Sequence, residues 1–291
     1  MKILIISILI LTCSVFSSCS NKQNTTKNIS NNVNIEKKQS TEEESEKTEE
    51  TTVEVNNTSL SNKEVGWGYR PNSENKVPEI PGEIEGLLKK YSSYYVGDTS
   101  NKKLYLTFDE GYENGFTGEI LDILKANNVP AAFFVTKPYI LKEKDLIKRM
   151  VDEGHIVANH TSTHPSMPDV AGDSEKFKFE FEDTENAFKE ITGKDMPKYF
   201  RPPMGKYSEK TLHLTNELGY KSIFWSFAHK DWEVDNQPSV EATKEKIKKG
   251  MHNGCIILLH AVSESNTKAL DSVLKELKAD GYEFLSLDDL K

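Results

Sequence analysis

Cysteine is nearly absent from the part of this chain that reads as globular. Of its three cysteines, Cys13 and Cys19 sit near the start and only Cys255 falls further on. A disulfide within the later part is therefore excluded in any redox compartment. Cys255 opens the apolar run Cys255-Ile-Ile-Leu-Leu259 and is expected as a buried strand residue. Positive charge is also in short supply: 37 Lys and Arg stand against 46 Asp and Glu, a formal net charge of −9. Without a basic face to neutralise phosphates, nucleic acid is not an expected partner. No Gly-rich phosphate-binding fingerprint follows any predicted strand, which argues against a nucleotide site.

Aromatic residues are missing altogether between Ser20 and Val65, where Asn, Ser, Thr, Glu and Lys dominate. Such a segment buries too little apolar surface to offset its ordering entropy, so residues 20–65 are expected to be a disordered polar tether. Its run Thr41–Glu50 is a solvated charge cluster rather than a site. Nor does any apolar run reach the ~20 residues of a membrane span. The run Ile3–Leu11 follows Lys2 and precedes Ser17-Ser18-Cys19, the pattern of an export signal over residues 1–19. Phe16-Ser-Ser-Cys19 resembles a bacterial lipobox, with Phe16 in place of the usual aliphatic residue, and lipidation of Cys19 would tie the chain to a membrane.

What is present is a regular alternation of strands and helices. Gly66-Trp-Gly-Tyr-Arg-Pro-Asn72 marks the entry to the folded part, and residues 66–100 are expected to form an N-terminal extension packed on the main domain, 101–291. Strands are predicted at Leu104–Phe108, Ala131–Val135, Ile156–His160, Tyr199–Arg201, Ser222–Ser226, Cys255–His260 and Glu283–Leu287. Helices are predicted near Thr117–Asn127, Lys142–Glu153, Ser174–Thr192, Ser208–Leu218, Val240–His252 and Asn266–Ala279. This order implies an α/β fold with a parallel sheet and right-handed crossovers, either a closed or nearly closed β/α barrel or a doubly wound open sheet.

The strand ends carry the chemistry. The first delivers Asp109 and Glu110, the third His160-Thr-Ser-Thr-His164, the fourth Arg201-Pro-Pro-Met-Gly205 and the sixth His260, while Asp231-Trp232 follows the fifth. In a barrel these ends converge on one face. His160 and His164 at H-x-x-x-H spacing are expected on one side of a helical turn, where two imidazoles suit a divalent metal. Two His with one carboxylate leave open positions on an ion, which suits hydrolysis through bound water. Arg201, aimed by two prolines, is read either as a structural ion pair or as the group that keeps Asp109 ionised as a base. His260 is read as a proton donor with Asp231 setting its tautomer, against the plainer reading of a satisfied core histidine. Tyr207, Trp232, Gly205 and Asn159 are the candidates for contact with substrate. His155, His213, His229 and His252 have no comparable placement.

These motifs, Thr107-Phe-Asp-Glu-Gly111, His160-Thr-Ser-Thr-His164-Pro165, Arg201-Pro-Pro-Met-Gly205, Asp231-Trp232 and Leu258-Leu-His260, resemble in order and spacing those of the polysaccharide deacetylases, carbohydrate esterase family 4. The resemblance implies a distorted (β/α)7 barrel and metal-assisted removal of an N-acetyl group from an amino sugar. It implies Asp109 as general base, His260 as general acid, Arg201 and Asp231 as their partners, and His160, His164 and Glu110 as metal ligands, with zinc the expected ion. Glu110 stands where the family usually has a second Asp. The longer string Thr107–Gly115, with Trp67–Asn72 upstream, is similar to the peptidoglycan N-acetylmuramic acid deacetylases of muramic-δ-lactam synthesis in spore cortex. The expected substrate is therefore peptidoglycan strands lacking stem peptides. The expected form is a monomer, exported to the outer face of the cell membrane or the space between forespore and mother cell. N-acetylglucosamine in peptidoglycan or a chitin-like glycan is the alternative substrate, and a non-catalytic glycan-binding module the alternative class.

Overall fold

The computed structural model describes residues 60–71 and 75–290. The expected leader and most of the tether lie outside the described residues. Among the described residues eleven strands are found: β1 (Val65–Gly66), β2 (Ser93–Tyr94), β3 (Lys103–Glu110), β4 (Ala131–Val135), β5 (Ile156–Asn159), β6 (Tyr199–Phe200), β7 (Lys206–Tyr207), β8 (Lys221–Ile223), β9 (Phe227–Ala228), β10 (Cys255–His260) and β11 (Glu283–Phe284). One sheet runs in the order β2-β8-β6-β5-β4-β3-β10-β9, with β11 beside β3. Every pairing in it is parallel. Long helices at Thr117–Asn127, Ser174–Thr192, Val240–Gly250 and Glu264–Ala279 cover its outer face. The architecture is the distorted (β/α)7 barrel expected above.

Why these residues make this barrel is visible in the period-2 pattern of the central strands. On β3, Leu104, Leu106 and Phe108 pack with Ile120, Leu121 and Leu270 of the helix layer. Tyr105, one residue out of phase, faces the interior with Phe134, Ala158, Ile223 and Ile256. The neighbours obey the same parity: Phe133 and Val135 point outward on β4, and Ile257 and Leu259 on β10. Each such side chain, buried from water, contributes about 1.5–3 kcal/mol. Cys255 is fully buried as expected, and burial pushes its thiol up to about 12.

Several boundaries differ from the sequence expectation, among them the ends predicted at Ser226, Leu287, His252 and Asn266, and three departures bear on the site. β3 extends through Asp109 and Glu110, so the two carboxylates lie within the strand rather than after it. The single helix predicted at Lys142–Glu153 is two, Lys137–Lys142 and Lys144–Asp152. Pro138 accounts for the early start, because its missing N–H costs nothing in a first turn. The tether, expected to reach residue 65, docks earlier. The Ser61 carbonyl accepts from Lys210 N, Asn62 bonds Ser208 Oγ and the Pro168 carbonyl, and Glu64 accepts from Ser166 and pairs with Lys206.

Residues 65–70 then run as a strap over the Arg201–Gly205 turn. β1 pairs antiparallel with β7, and Trp67 N–H donates to the Gly205 carbonyl at 2.8 Å. The Trp67 ring stacks on Phe224 at 4.6 Å, and its Nε1 donates to the Trp225 carbonyl. Gly205 sits at φ +65, and a Cβ there would lie 2.9 Å from the Trp225 ring and 3.0 Å from Trp67. Both backbone and space demand glycine.

Candidate active site

The parity of β3 decides which carboxylate enters the barrel. Asp109 shares the inward phase of Tyr105 and Thr107, and Arg201 meets it there. Arg201 is fully buried. Its Nη1 donates to Asp109 Oδ1 at 2.7 Å, Nη2 to Thr107 Oγ1 at 2.9 Å and Nε to the Ile223 carbonyl at 3.0 Å. The guanidinium lies 4.1 Å over the Phe134 ring, a cation–π contact at the bottom of the site. Burial would raise the Asp109 carboxyl, but the Arg201 guanidinium above all outweighs it and holds the acid below the usual range. Asp109 is therefore an ionised, buried carboxylate at neutral pH.

Glu110 goes the other way. One residue further along the strand, it takes the outward phase of Leu106 and Phe108. It is wholly buried on the helix side, where Thr117 Oγ1 lies 3.4 Å from its Oε1 and Oε2 has no hydrogen-bond partner. Burial, then the charge of Glu113, push its carboxyl well above the ordinary value, so it is a neutral acid. Glu113 itself bonds Thr117 and Tyr139 in the same cluster. Expected as a ligand beside His160 and His164, Glu110 does not line the cavity that holds them. A strand places adjacent side chains on opposite faces, and the two acids cannot share one mouth.

His160 and His164 do come together, at 4.9 Å between ring centroids, but not on a helical turn. They sit on a loop in which Thr161 (φ 74) and His164 (φ 58) take the left-handed conformation. For a β-branched residue such as Thr161 this is strain, and it is held in place locally. Asn159 Oδ1 accepts from Thr161 N, Thr161 Oγ1 accepts from His164 N, and Glu180 accepts from both N and Oγ1 of Thr163. His160 Nδ1 is 2.8 Å from the Arg201 carbonyl, which only accepts, so Nδ1 carries the proton and Nε2 keeps its lone pair. That Nε2 lies 3.6 Å from Asp109 Oδ2. Burial lowers His160 to about 4 and also lowers His164, so both imidazoles are neutral.

Neutral imidazoles with a fixed tautomer beside a carboxylate are the donor chemistry a divalent metal takes. Among the described residues no three or more His, Cys, Asp or Glu form a ready ligand cluster. His160 and His164, 4.9 Å apart between ring centroids and with Asp109 beside them, are the residues that would hold an ion.

Opposite stands His260 at the end of β10, in register with Asp109 on β3. Asp231, fully buried, accepts from His260 Nδ1 at 2.7 Å and from the His260 backbone N–H at 2.8 Å. Asn266 donates to the same carboxylate, as a second clamp. Nδ1 being committed to Asp231, Nε2 is the free ring nitrogen. Burial would lower this imidazole, but the hydrogen bond and charge of Asp231 raise it above the usual value. An acid below the usual range and a base above it thus share one cavity of about 940 Å³, the pairing expected where a proton is taken on one side and given on the other.

The other expected contacts divide. Gly205 and Trp232 line the cavity, and Trp232 lies edge-on to His260 at 5.4 Å. Tyr207 does not: it is buried against Phe224 in the extension's own cluster. Asn159 is turned to the helix layer, donating to the Phe181 carbonyl and Tyr220. Both are core residues that hold the loops from behind. Sequence reasoning passed over several lining residues. Tyr112 and Met204 stand half exposed at the rim beside Trp232, and Tyr69 reaches the wall from the strap. His229 lines the cavity too, with Nε2 on Asn266 Oδ1 at 3.0 Å. Its place two residues before Asp231 was the one available signal.

Comparisons with known proteins agree with this geometry. The polysaccharide deacetylase family profile matches residues 96–223. The chain is 47% identical over 232 residues to an uncharacterised 30.6 kDa protein of Geobacillus stearothermophilus, covering 80% of this chain and 87% of that one. It is 40% identical to the peptidoglycan-N-acetylmuramic acid deacetylase PdaA of Bacillus subtilis, over 80% of this chain and 88% of the relative. The solved structure of PdaA, a family 4 carbohydrate esterase, superposes with a TM-score of 0.77 over 79% of this chain and 98% of that chain. A family 4 carbohydrate esterase from Bacillus anthracis, 43% identical, gives 0.67 over 79% and 97%.

Proposed function

We propose, given that the chain belongs to the polysaccharide deacetylase family, that it hydrolyses the acetamide of N-acetylmuramic acid in peptidoglycan strands freed of stem peptides. The observation that carries the chemistry is the opposition of Asp109, held ionised by Arg201, to His260, whose Nδ1 is bound to Asp231 and whose imidazole is raised above its usual value by that contact. The similarity to a muramic acid deacetylase over four fifths of the chain supports the choice of sugar.

Asp109 accepts a proton from water as the water oxygen attacks the acetyl carbonyl carbon. His260 Nε2–H then delivers a proton to the sugar nitrogen as the carbon–nitrogen bond breaks, leaving acetate and a free amine. His160 and His164 would hold a divalent metal, zinc being the expected ion, which would supply Lewis-acid polarisation for the hydrolysis. Arg201 keeps the base from being protonated once burial alone would favour the neutral form. Trp232, Tyr112 and Met204 offer apolar faces against which sugar rings stack. The freed amine lies on the sugar that carries the lactyl carboxyl, and closure between them with loss of water gives muramic-δ-lactam, a product of spore cortex.

The leader-like sequence of residues 1–19 supports export, and Phe16-Ser-Ser-Cys19 supports a lipid on Cys19 that would hold the chain at the outer face of the membrane. Acetate release from stem-peptide-free strands tests the assignment. Asp109→Asn, which keeps the shape and removes the base, is expected to lower kcat by about 100-fold or more. Release at the wild-type rate would overturn it.

A further inference from the structure

A muramic acid freed of its stem peptide carries a lactyl carboxylate, and in the site it must enter the positive groups are already committed, Arg201 to Asp109 and His260 to Asp231, in a chain of net charge −9. A further carboxylate brought into that cavity needs a further cation to offset the loss of its water. Among the described residues lining the cavity, Lys230 is the only Lys or Arg. It stands directly before Asp231, on a segment fixed at both ends. Asp231 is clamped by His260 and Asn266, and the Ala228 backbone N–H donates to the Tyr69 hydroxyl at 3.0 Å. That bond uses Tyr69 as acceptor and leaves its O–H free to donate, and Tyr69 also lines the cavity. Lys230 itself pairs with Glu233 at 2.5 Å, but both side chains are exposed, so the pair is screened and readily exchanged for another anion.

We propose that Lys230, with the Tyr69 hydroxyl supplied by the N-terminal strap, forms a subsite for the lactyl carboxylate and selects muramic acid over sugars that lack it. This rests on the muramic acid assignment above. Neither residue belongs to the motifs that carry the chemistry, and Tyr69 precedes the family-matched region.

The test compares soluble glycan strands bearing free lactyl carboxylates with the same strands methyl-esterified, scored by acetate release and by which sugar carries the new amine. A charge-assisted hydrogen bond predicts that wild type prefers the acid over the ester by about tenfold in kcat/KM. Lys230→Ala is expected to bring that ratio towards one, mainly through KM, and Lys230→Arg to keep most of it. Tyr69→Phe is expected to give a smaller loss of the same preference. Acetate released from muramic acid with an acid-to-ester ratio unchanged in Lys230→Ala overturns the subsite alone. New amine found only on glucosamine with the wild-type protein overturns the subsite together with the assignment beneath it.

Discussion

Glu110→Gln is the substitution that separates the two faces of β3. The wild-type side chain is wholly buried, has an unpartnered oxygen, and shares its cluster with Glu113. A carboxyl whose folded pKa is raised binds a proton in the native state that the unfolded chain releases above its ordinary value. Stability is therefore lost as pH rises from the ordinary carboxyl value towards the folded one. With an unfolded value of about 4.3 and 1.36 kcal/mol per unit, the loss at pH 7 has a ceiling of about 4 kcal/mol. Glutamine keeps the shape and cannot ionise. Thermal melts from pH 4 to 8 should show the variant more stable than wild type at pH 7 by a sizeable part of that ceiling. The difference should close near pH 4, where both side chains are neutral. Isothermal titration with zinc should show unchanged affinity, because Glu110 faces away from His160 and His164. A variant no more stable at pH 7, or one that has lost metal binding, would refute the placement of this side chain.

Two further substitutions probe the acid and base. Arg201→Lys leaves one ammonium where the guanidinium satisfied Asp109, Thr107 and the Ile223 carbonyl, and each orphaned buried acceptor costs about 1–3 kcal/mol. A lower melting temperature and an acid limb of the kcat profile moved to higher pH are expected; an unmoved limb would show that Arg201 does not tune the base. Asp231→Asn removes the group that raises His260. The stabilisation from that raised imidazole is present below the ordinary histidine range and lost as pH rises through the folded value. The alkaline limb of kcat should accordingly move to lower pH in the variant, and an identical limb would place the acid elsewhere.

Much of the fold was legible in the chain because the strands are short apolar runs bounded by turn residues, and Ala131–Val135 and Cys255–His260 fall where the pattern put them. The convergence of Asp109, His160, His164, Arg201 and His260 was legible for the same reason, since parallel strands send their C-terminal ends to one face. Glu110 was misplaced because the strand was ended one residue before Asp109, which hid the parity that separates the acids. The His160–His164 spacing also fits a helix, and only the left-handed Thr161 and His164 show that a loop makes the pair. Tyr207 and Asn159 carry polar atoms that serve core packing and loop anchoring, a distinction that depends on tertiary neighbours. Tyr69 was hidden because its role arises from a contact with Ala228, 159 positions away.

The most direct measurement of the central claim is mass spectrometry of the fragments left when stem-peptide-free peptidoglycan is incubated with the protein, with and without a chelator. The account predicts loss of one acetyl group from muramic acid, abolished by the chelator and restored by zinc. Acetyl loss confined to glucosamine, or loss from muramic acid indifferent to the chelator, would contradict it.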